Sequence, residues 1–143
     1  MFAKQLTVFI ENRTGRLSEV LNVLKESNVN ILSLSLADTT EYGLLRLIVD
    51  NAPLGKEKLS ENGFSSLLSD VSIIKIPHKS GSLQALLKVI DSNGINIEYM
   101  YGLSIEGAQA YVVLKSSDAV KLDNLLTDNN IETLDCAFLA TLQ

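Results

Sequence analysis

An internal repeat constrains this chain more than any other feature. The stretch TGRLSEVLNVLKESNVNI, beginning at Thr14, aligns without a gap on SGSLQALLKVIDSNGINI, beginning at Ser80. Gly15 meets Gly81, Leu17 meets Leu83, Leu21 meets Leu87, Val23 meets Val89, Asn30 meets Asn96 and Ile31 meets Ile97. Thr14 with Ser80, Val20 with Leu86, Leu24 with Ile90 and Val29 with Ile95 are conservative pairs. Two unrelated amphipathic helices would share the apolar spacing. They would not share a glycine before the helix and an Asn-Ile after it. The pattern therefore reads as one supersecondary unit used twice.

Each copy reads as strand, helix, strand, strand, helix, strand. In copy one, Leu6, Val8 and Ile10 alternate with Gln5, Thr7 and Phe9, the pattern of a half-buried strand. A helix is expected over 16–27, where Leu17, Val20, Leu21 and Leu24 fall on one face. Thr14 and Ser80 stand where a hydroxyl would cap it, and Asn93-Gly94 supplies a left-handed stop in copy two. Strands are expected over 31–37 and 44–49, around a turn at Glu41-Tyr42-Gly43. A helix opened by Pro53 should run to about residue 62, and a short strand over 64–69 should close the copy. Copy two should carry strands over 72–76, 97–103, 110–114 and 133–140, with a second helix over 118–128.

The expected organisation is α+β, with a first unit over 1–69 and a second over 70–143, each ferredoxin-like with the order βαββαβ. A unit of this size has a marginal core, and there is almost no linker near Asp70. The two units are therefore expected to pack together. The 143 residues are 46% apolar and 20% charged, enough to build a globular core. The net charge of −5 and the lack of a basic cluster argue against nucleic acid as a partner. No apolar run is long enough to span a membrane, the N-terminus lacks a secretory signal, and Cys136 is the single cysteine. The expected setting is the cytoplasm.

The turn between the first strand and first helix of each copy is the most informative place for chemistry. Copy one reads Glu11-Asn12-Arg13-Thr14-Gly15-Arg16-Leu17, and copy two reads Pro77-His78-Lys79-Ser80-Gly81-Ser82-Leu83. A glycine lets the backbone approach a ligand, and a helix N-terminus suits a carboxylate. The plain alternative is a turn that needs glycine for its dihedral angles alone.

Asn-x-x-Gly-x-Leu after a strand, then a helix, then Val-Asn-Ile, resembles the ACT domain, and the likeness covers nearly the whole chain twice. Ser35-Leu36-Ala37-Asp38-Thr39 followed by Tyr42-Gly43-Leu44-Leu45-Arg46-Leu47 further resembles free-standing tandem ACT proteins. The family is a small-molecule regulatory module, known for binding amino acids. The resemblance implies a ligand held between two copies. One copy would give the turn residue and the other the asparagine before the second strand, pairing Asn12 with Asn96 and His78 with Asn30. Copy two departs from the pattern in having His78 where asparagine is expected. The implied ligand-binding set is Asn12, Arg13, Thr14, Gly15, Arg16, Leu17 and Asn30, with His78, Lys79, Ser80, Gly81, Ser82, Leu83 and Asn96. For Asn30 and Asn96 the alternative is simple strand-entry turn chemistry.

Nothing in the sequence assembles a catalytic set. His78 is the only histidine, so no histidine metal cluster exists, and Cys136 sits in an apolar pattern that suits an inert buried thiol. No phosphate-binding or dinucleotide-binding glycine motif occurs. Asp38, Glu41, Asp50, Glu98 and Glu106 read as solvated acids. Tyr99 and Tyr101 either pack on one sheet face or lie near a ligand. Arg46 either pairs with an acid or meets a second subunit. The leading expectation is a non-enzymatic regulatory protein without cofactor or metal, binding a free amino acid, homodimeric, and acting on a protein partner. The rival is an interaction or scaffold module with a vestigial ligand site.

Overall fold

A computed structural model describes residues 1–38, 42–103 and 109–141. The elements in chain order are β1 (Ala3–Glu11), α1 (Arg16–Glu26), β2 (Ile31–Asp38), β3 (Tyr42–Val49), α2 (Ala52–Glu61) and β4 (Ser66–Pro77). There follow α3 (Ser82–Ser92), β5 (Ile97–Gly102), β6 (Gln109–Ser116), α4 (Ala119–Asp128), β7 (Thr133–Leu134) and α5 (Cys136–Thr141). The βαββαβ order is present twice, and the fold is the ferredoxin-like α+β arrangement. Thr39, Glu41 and Glu106 lie outside the described residues.

The chain forms two compact units. One comprises Lys4–Ser69 with Cys136–Gln143, the other Met1–Ala3 with Asp70–Asp135. In the first the strand order is β2-β3-β1-β4. Its core joins Leu6, Val8 and Ile10 of β1, Leu45, Leu47 and Val49 of β3, Val20 and Leu24 of α1, and Leu59 of α2. In the second the order is β5-β6-β4-β7, over a core of Ile74, Ile76, Leu86, Ile90, Leu114, Leu122 and Leu126. Burying each such aliphatic side chain contributes roughly 1.5–3 kcal/mol before chain entropy is counted.

The duplication extends to details of the backbone. All four long helices end in a left-handed residue: Asn28 (φ 59°), Gly63 (φ 83°), Gly94 (φ 71°) and Asn130 (φ 56°). Each copy uses one Gly and one Asn, the two residues that tolerate this region best. Beyond each, an amide reaches back to the last buried residue of its helix. Val29 N–H donates to Leu24 O at 2.9 Å, Phe64 to Leu59 at 2.9 Å, Ile95 to Ile90 at 3.4 Å and Ile131 to Leu126 at 2.9 Å. Together with the bonds from Asn28, Gly63, Gly94 and Asn130 to the carbonyls three residues earlier, this is the Schellman stop. Both edge strands also carry a bulge in the same place, between Ile31 and Ser33 and between Ile97 and Tyr99.

Three local expectations need correction. The strands expected over 64–69 and 72–76 are one strand, β4. Ser69-Asp70 reads as a break, but pairing on both sides holds the backbone extended through it. Phe9 N–H donates to Ser65 O at 3.0 Å, and Ser72 to Pro77 pair with β6. The strand expected over 133–140 ends after Thr133–Leu134, opposite Ile74 and Ile73, and Cys136–Thr141 is helical. A short apolar run rich in Ala and Leu fits either state by periodicity, and helix propensity wins here. Finally, neither Thr14 nor Ser80 caps a helix. The caps are Gly15 (φ 89°) and Gly81 (φ 86°), with no side-chain cap bond. Side-chain caps occur instead at the second helix of each copy, where Asn51 accepts from Leu54 N–H and Asp118 from Lys121 N–H.

Candidate functional site: the glycine turns

The two turns share one hydrogen-bond pattern. Arg13 N–H donates to Glu11 O at 2.8 Å, and Lys79 N–H to Pro77 O at 3.0 Å. Arg16 N–H donates to Arg13 O, Ser82 N–H to Lys79 O, Glu19 N–H to Gly15 O and Ala85 N–H to Gly81 O. Each glycine thus turns the chain sharply from strand into helix. The next two amides of the first turn, Leu17 and Ser18 in copy one, have no acceptor within the helix and belong to its positive end.

In copy one this turn bounds a cavity of about 390 Å³, lined by Ile10, Glu11, Asn12, Arg13, Leu17, Leu36, Ala37 and Gly43. Its floor is the end of β1, its walls the start of α1 and the facing ends of β2 and β3. The register sets this: Gly43 lies opposite Ile10, and Ala37 opposite Leu44. A Cβ at Gly43 would come within 3.3 Å of Leu36 Cδ1, so glycine keeps this wall thin. The rim carries charge. Arg13 Nε lies 3.0 Å from Glu11 Oε2, both side chains being mostly exposed.

Arg16 faces elsewhere. Its guanidinium carbon lies 4.3 Å above the ring of Phe64, Nη1 is 2.5 Å from Glu19 Oε2, and Nη2 is 3.9 Å from Glu11 Oε1. Its Nε is buried and without a hydrogen-bond partner. Stacking of this kind holds a guanidinium flat on a ring. It also places a second cation beside Glu11. Thr14 and Gly15 stay exposed on the turn.

Asn30 is not brought to this cavity. It lines a separate hollow of about 340 Å³ at the other end of α1, with Leu21, Lys25, Asn28, Val29 and Ile31. Its backbone is fixed by a reciprocal pair: Asn30 N–H donates to Asp50 Oδ1 at 2.9 Å, and Asp50 N–H to Asn30 O at 3.1 Å. Asn96 is exposed, and its carbonyl accepts from Ser117 N–H at 3.1 Å. In copy two, His78, Lys79, Ser80 and Gly81 are exposed, as is Leu83. Ser82 lines a different hollow of about 330 Å³ beside Lys75, Pro77 and Glu132.

Sequence reasoning missed Ile10, Glu11, Leu36, Ala37 and Gly43 as cavity residues. The available signal was the Leu36-Ala37 and Gly43 pattern, which lies far from the turn in sequence and joins it only through strand pairing. Cys136 heads α5 and is half-buried, with its thiol donating to Lys4 O at 3.5 Å. Among the described residues no cluster of His, Cys, Asp and Glu could hold a metal. No helix among them is long and apolar enough to cross a membrane.

Two matched glycine turns on a doubled ferredoxin-like unit define a class of tandem α+β modules. The chain belongs to the ACT domain family: the model described as an ACT domain pair matches residues 1–143. It is similar to protein BT0572 from Bacteroides thetaiotaomicron, at 34% identity and a TM-score of 0.92, over 97% of this chain and 96% of that one. It shares the fold of the regulatory subunit of aspartate kinase from Thermus thermophilus, in its ligand-free form, at 17% identity and a TM-score of 0.65 over 87% of both chains. The same subunit from Thermus flavus gives 15% identity and 0.60, over 89% and 90%. None of the curated proteins matches the chain.

Proposed function

We propose that this protein is a non-catalytic regulatory protein that binds a free amino acid at its glycine turns and thereby changes its association with a protein partner. The observation that carries the reading is the copy-one cavity, where the start of α1, an ion pair and apolar walls meet at one turn. A carboxylate suits the positive end of a helix. The ACT family membership and the regulatory subunits of the same fold support it. The protein acts in the cytoplasm, as a homodimer, and needs no cofactor.

The proposal includes the pairing of Asn12 with Asn96 and of His78 with Asn30. Asn12 and Asn30 line different hollows at opposite ends of an 11-residue helix. At 1.5 Å per residue that is roughly 15–20 Å, too far for one amino acid to bridge. That separation supports taking the second asparagine from another copy, in this chain or in a second one.

Calorimetric titration of the twenty amino acids at millimolar concentration tests the function. At least one should bind and raise the melting temperature by mass action. Silence across the panel would favour the rival reading, an interaction module with a vestigial site.

A further inference from the structure

We infer that the copy-one turn is a zwitterion site for an amino acid with an aliphatic side chain, with Glu11 as the partner of the ammonium group, and that copy two does not duplicate it. The inference rests on the amino-acid-binding reading above, names the ligand class of the copy-one site, and departs from that reading in giving the His78 turn no equivalent site.

The rim already holds the pattern of a zwitterion. Glu11 and Arg13 set a carboxylate and a guanidinium 3.0 Å apart on an exposed edge. An α-amino acid carries its own ammonium and carboxylate on one carbon, in the complementary order. An exposed ion pair is weak, so a ligand that meets both halves displaces little. The ammonium would face Glu11. The carboxylate would face Arg13 and the start of α1 at Leu17, both of which line the cavity. Arg16, held between Phe64 and Glu19, places a second cation 3.9 Å from Glu11 Oε1.

The remaining wall has no use for a polar ligand side chain. Asn12 lies on the rim side with Glu11 and Arg13, while the side chains of Ile10, Leu17, Leu36 and Ala37 present only hydrocarbon, and Leu36 is 52% exposed although it lies on the same sheet face as the buried Leu45. An aliphatic group lodged there would cover Leu36 at no polar cost. A charged or amide side chain would lose its hydration against a wall with no partner for it.

The repeat supplies the comparison. By strand register, Pro77 stands in copy two where Glu11 stands in copy one, Gly102 where Leu36 stands, and Ala110 where Gly43 stands. The ammonium partner is missing, and the wall loses the Leu36 side chain while Ile76, Leu83 and Leu103 stand where Ile10, Leu17 and Ala37 stand in copy one. The turn keeps one of the two cations, Lys79 in place of Arg13, and has Ser82 in place of Arg16, without the carboxylate.

The test titrates the full chain with L-leucine, L-isoleucine, L-lysine and L-aspartate, and with 2-hydroxy-4-methylpentanoate, which replaces leucine's ammonium by a hydroxyl. Leucine or isoleucine should bind at one per chain, and lysine and aspartate more weakly. Glu11→Gln should weaken the amino acid by about tenfold, the scale of one charged hydrogen bond, and leave the hydroxy acid unchanged. Leu36→Ser should narrow the gap between leucine and the polar ligands. Binding of a charged amino acid in preference, two equivalent sites per chain, or no effect of Glu11→Gln would overturn this inference and leave the broader amino-acid-binding reading standing. Silence towards all twenty amino acids would overturn both.

Discussion

Gly15 and Gly81 share one backbone conformation, with φ of 89° and 86° and ψ of −13° and −10°. A Cβ built on either meets nothing within 4 Å. The requirement for glycine is therefore conformational and not steric. Gly15→Ala and Gly81→Ala should each lower stability by about 1–2 kcal/mol, the cost of holding an L-residue left-handed. Urea denaturation at unchanged m-value is the check. A loss much above that range would show a packing role that the geometry does not contain.

The second helix of each copy is capped by a side chain, Asn51 at 3.2 Å and Asp118 at 3.0 Å from the amides they accept. Replacing either by Ala should cost about 0.5–2 kcal/mol, while Asn51→Asp and Asp118→Asn should be nearly neutral. Denaturation midpoints of the four variants decide this.

One core position is filled differently in the two copies. Gly55 and Leu122 each follow their cap by one turn, each donating back to the cap carbonyl at 3.0 Å. A Cβ at Gly55 would sit 3.1 Å from Leu6 Cδ2 and 3.4 Å from Leu24 Cδ2. Gly55→Leu should therefore overpack the first core and cost roughly 1–3 kcal/mol. Leu122→Ala, at a side chain only 1% exposed, should leave a void and cost roughly 2–5 kcal/mol. Thermal unfolding would separate the two, and a stabilising Gly55→Leu would contradict the packing described.

Titration of the bound amino acid tests the pairing of Asn12 with Asn96. Asn12→Ala and Asn96→Ala should each weaken it by about 0.5–3 kcal/mol, the range for a lost hydrogen bond. The double change should cost less than the sum, because residues that share a ligand couple. Additive effects, or one silent variant, would rule the pairing out.

Leu34 and Leu36 are 49% and 52% exposed on β2, the edge strand of its unit. Edge strands with apolar side chains are usually covered. Light scattering should give twice the mass of the 15.6 kDa chain, and Leu34→Lys should shift it toward the monomer. A monomer at micromolar concentration for the unaltered chain would count against the dimer.

The repeat and the helix faces were legible because local pattern sets them. Leu17, Val20, Leu21 and Leu24 need only helical spacing to find one side, and Gly94 marks its own stop. The left-handed Asn28 and Asn130 went unread, since asparagine signals that state less strongly than glycine. Local pattern could not show that β4 runs through Asp70, because pairing with β1 and β6 decides it. Nor could it show the short helix from Cys136. The turn residues Asn12 and Arg13 were read from their motif, and both line the cavity. Its far wall was not read, since Leu36 and Gly43 reach the turn only through the register of β2, β3 and β1. Asn30 and Asn12 belong to one motif in sequence but to opposite ends of one helix in space.

The grouping of Cys136–Gln143 with Lys4–Ser69 has a bearing on how the chain is made. On the ribosome, α5 is synthesised after every residue of the Asp70–Asp135 segment. The unit built around β1 thus receives its final element only when the other unit's residues have all emerged. Neither unit is one uninterrupted stretch, so nascent chains stalled before Cys136 should stay more open to protease at the first unit than released ones. The order of translation and the order of completion are crossed.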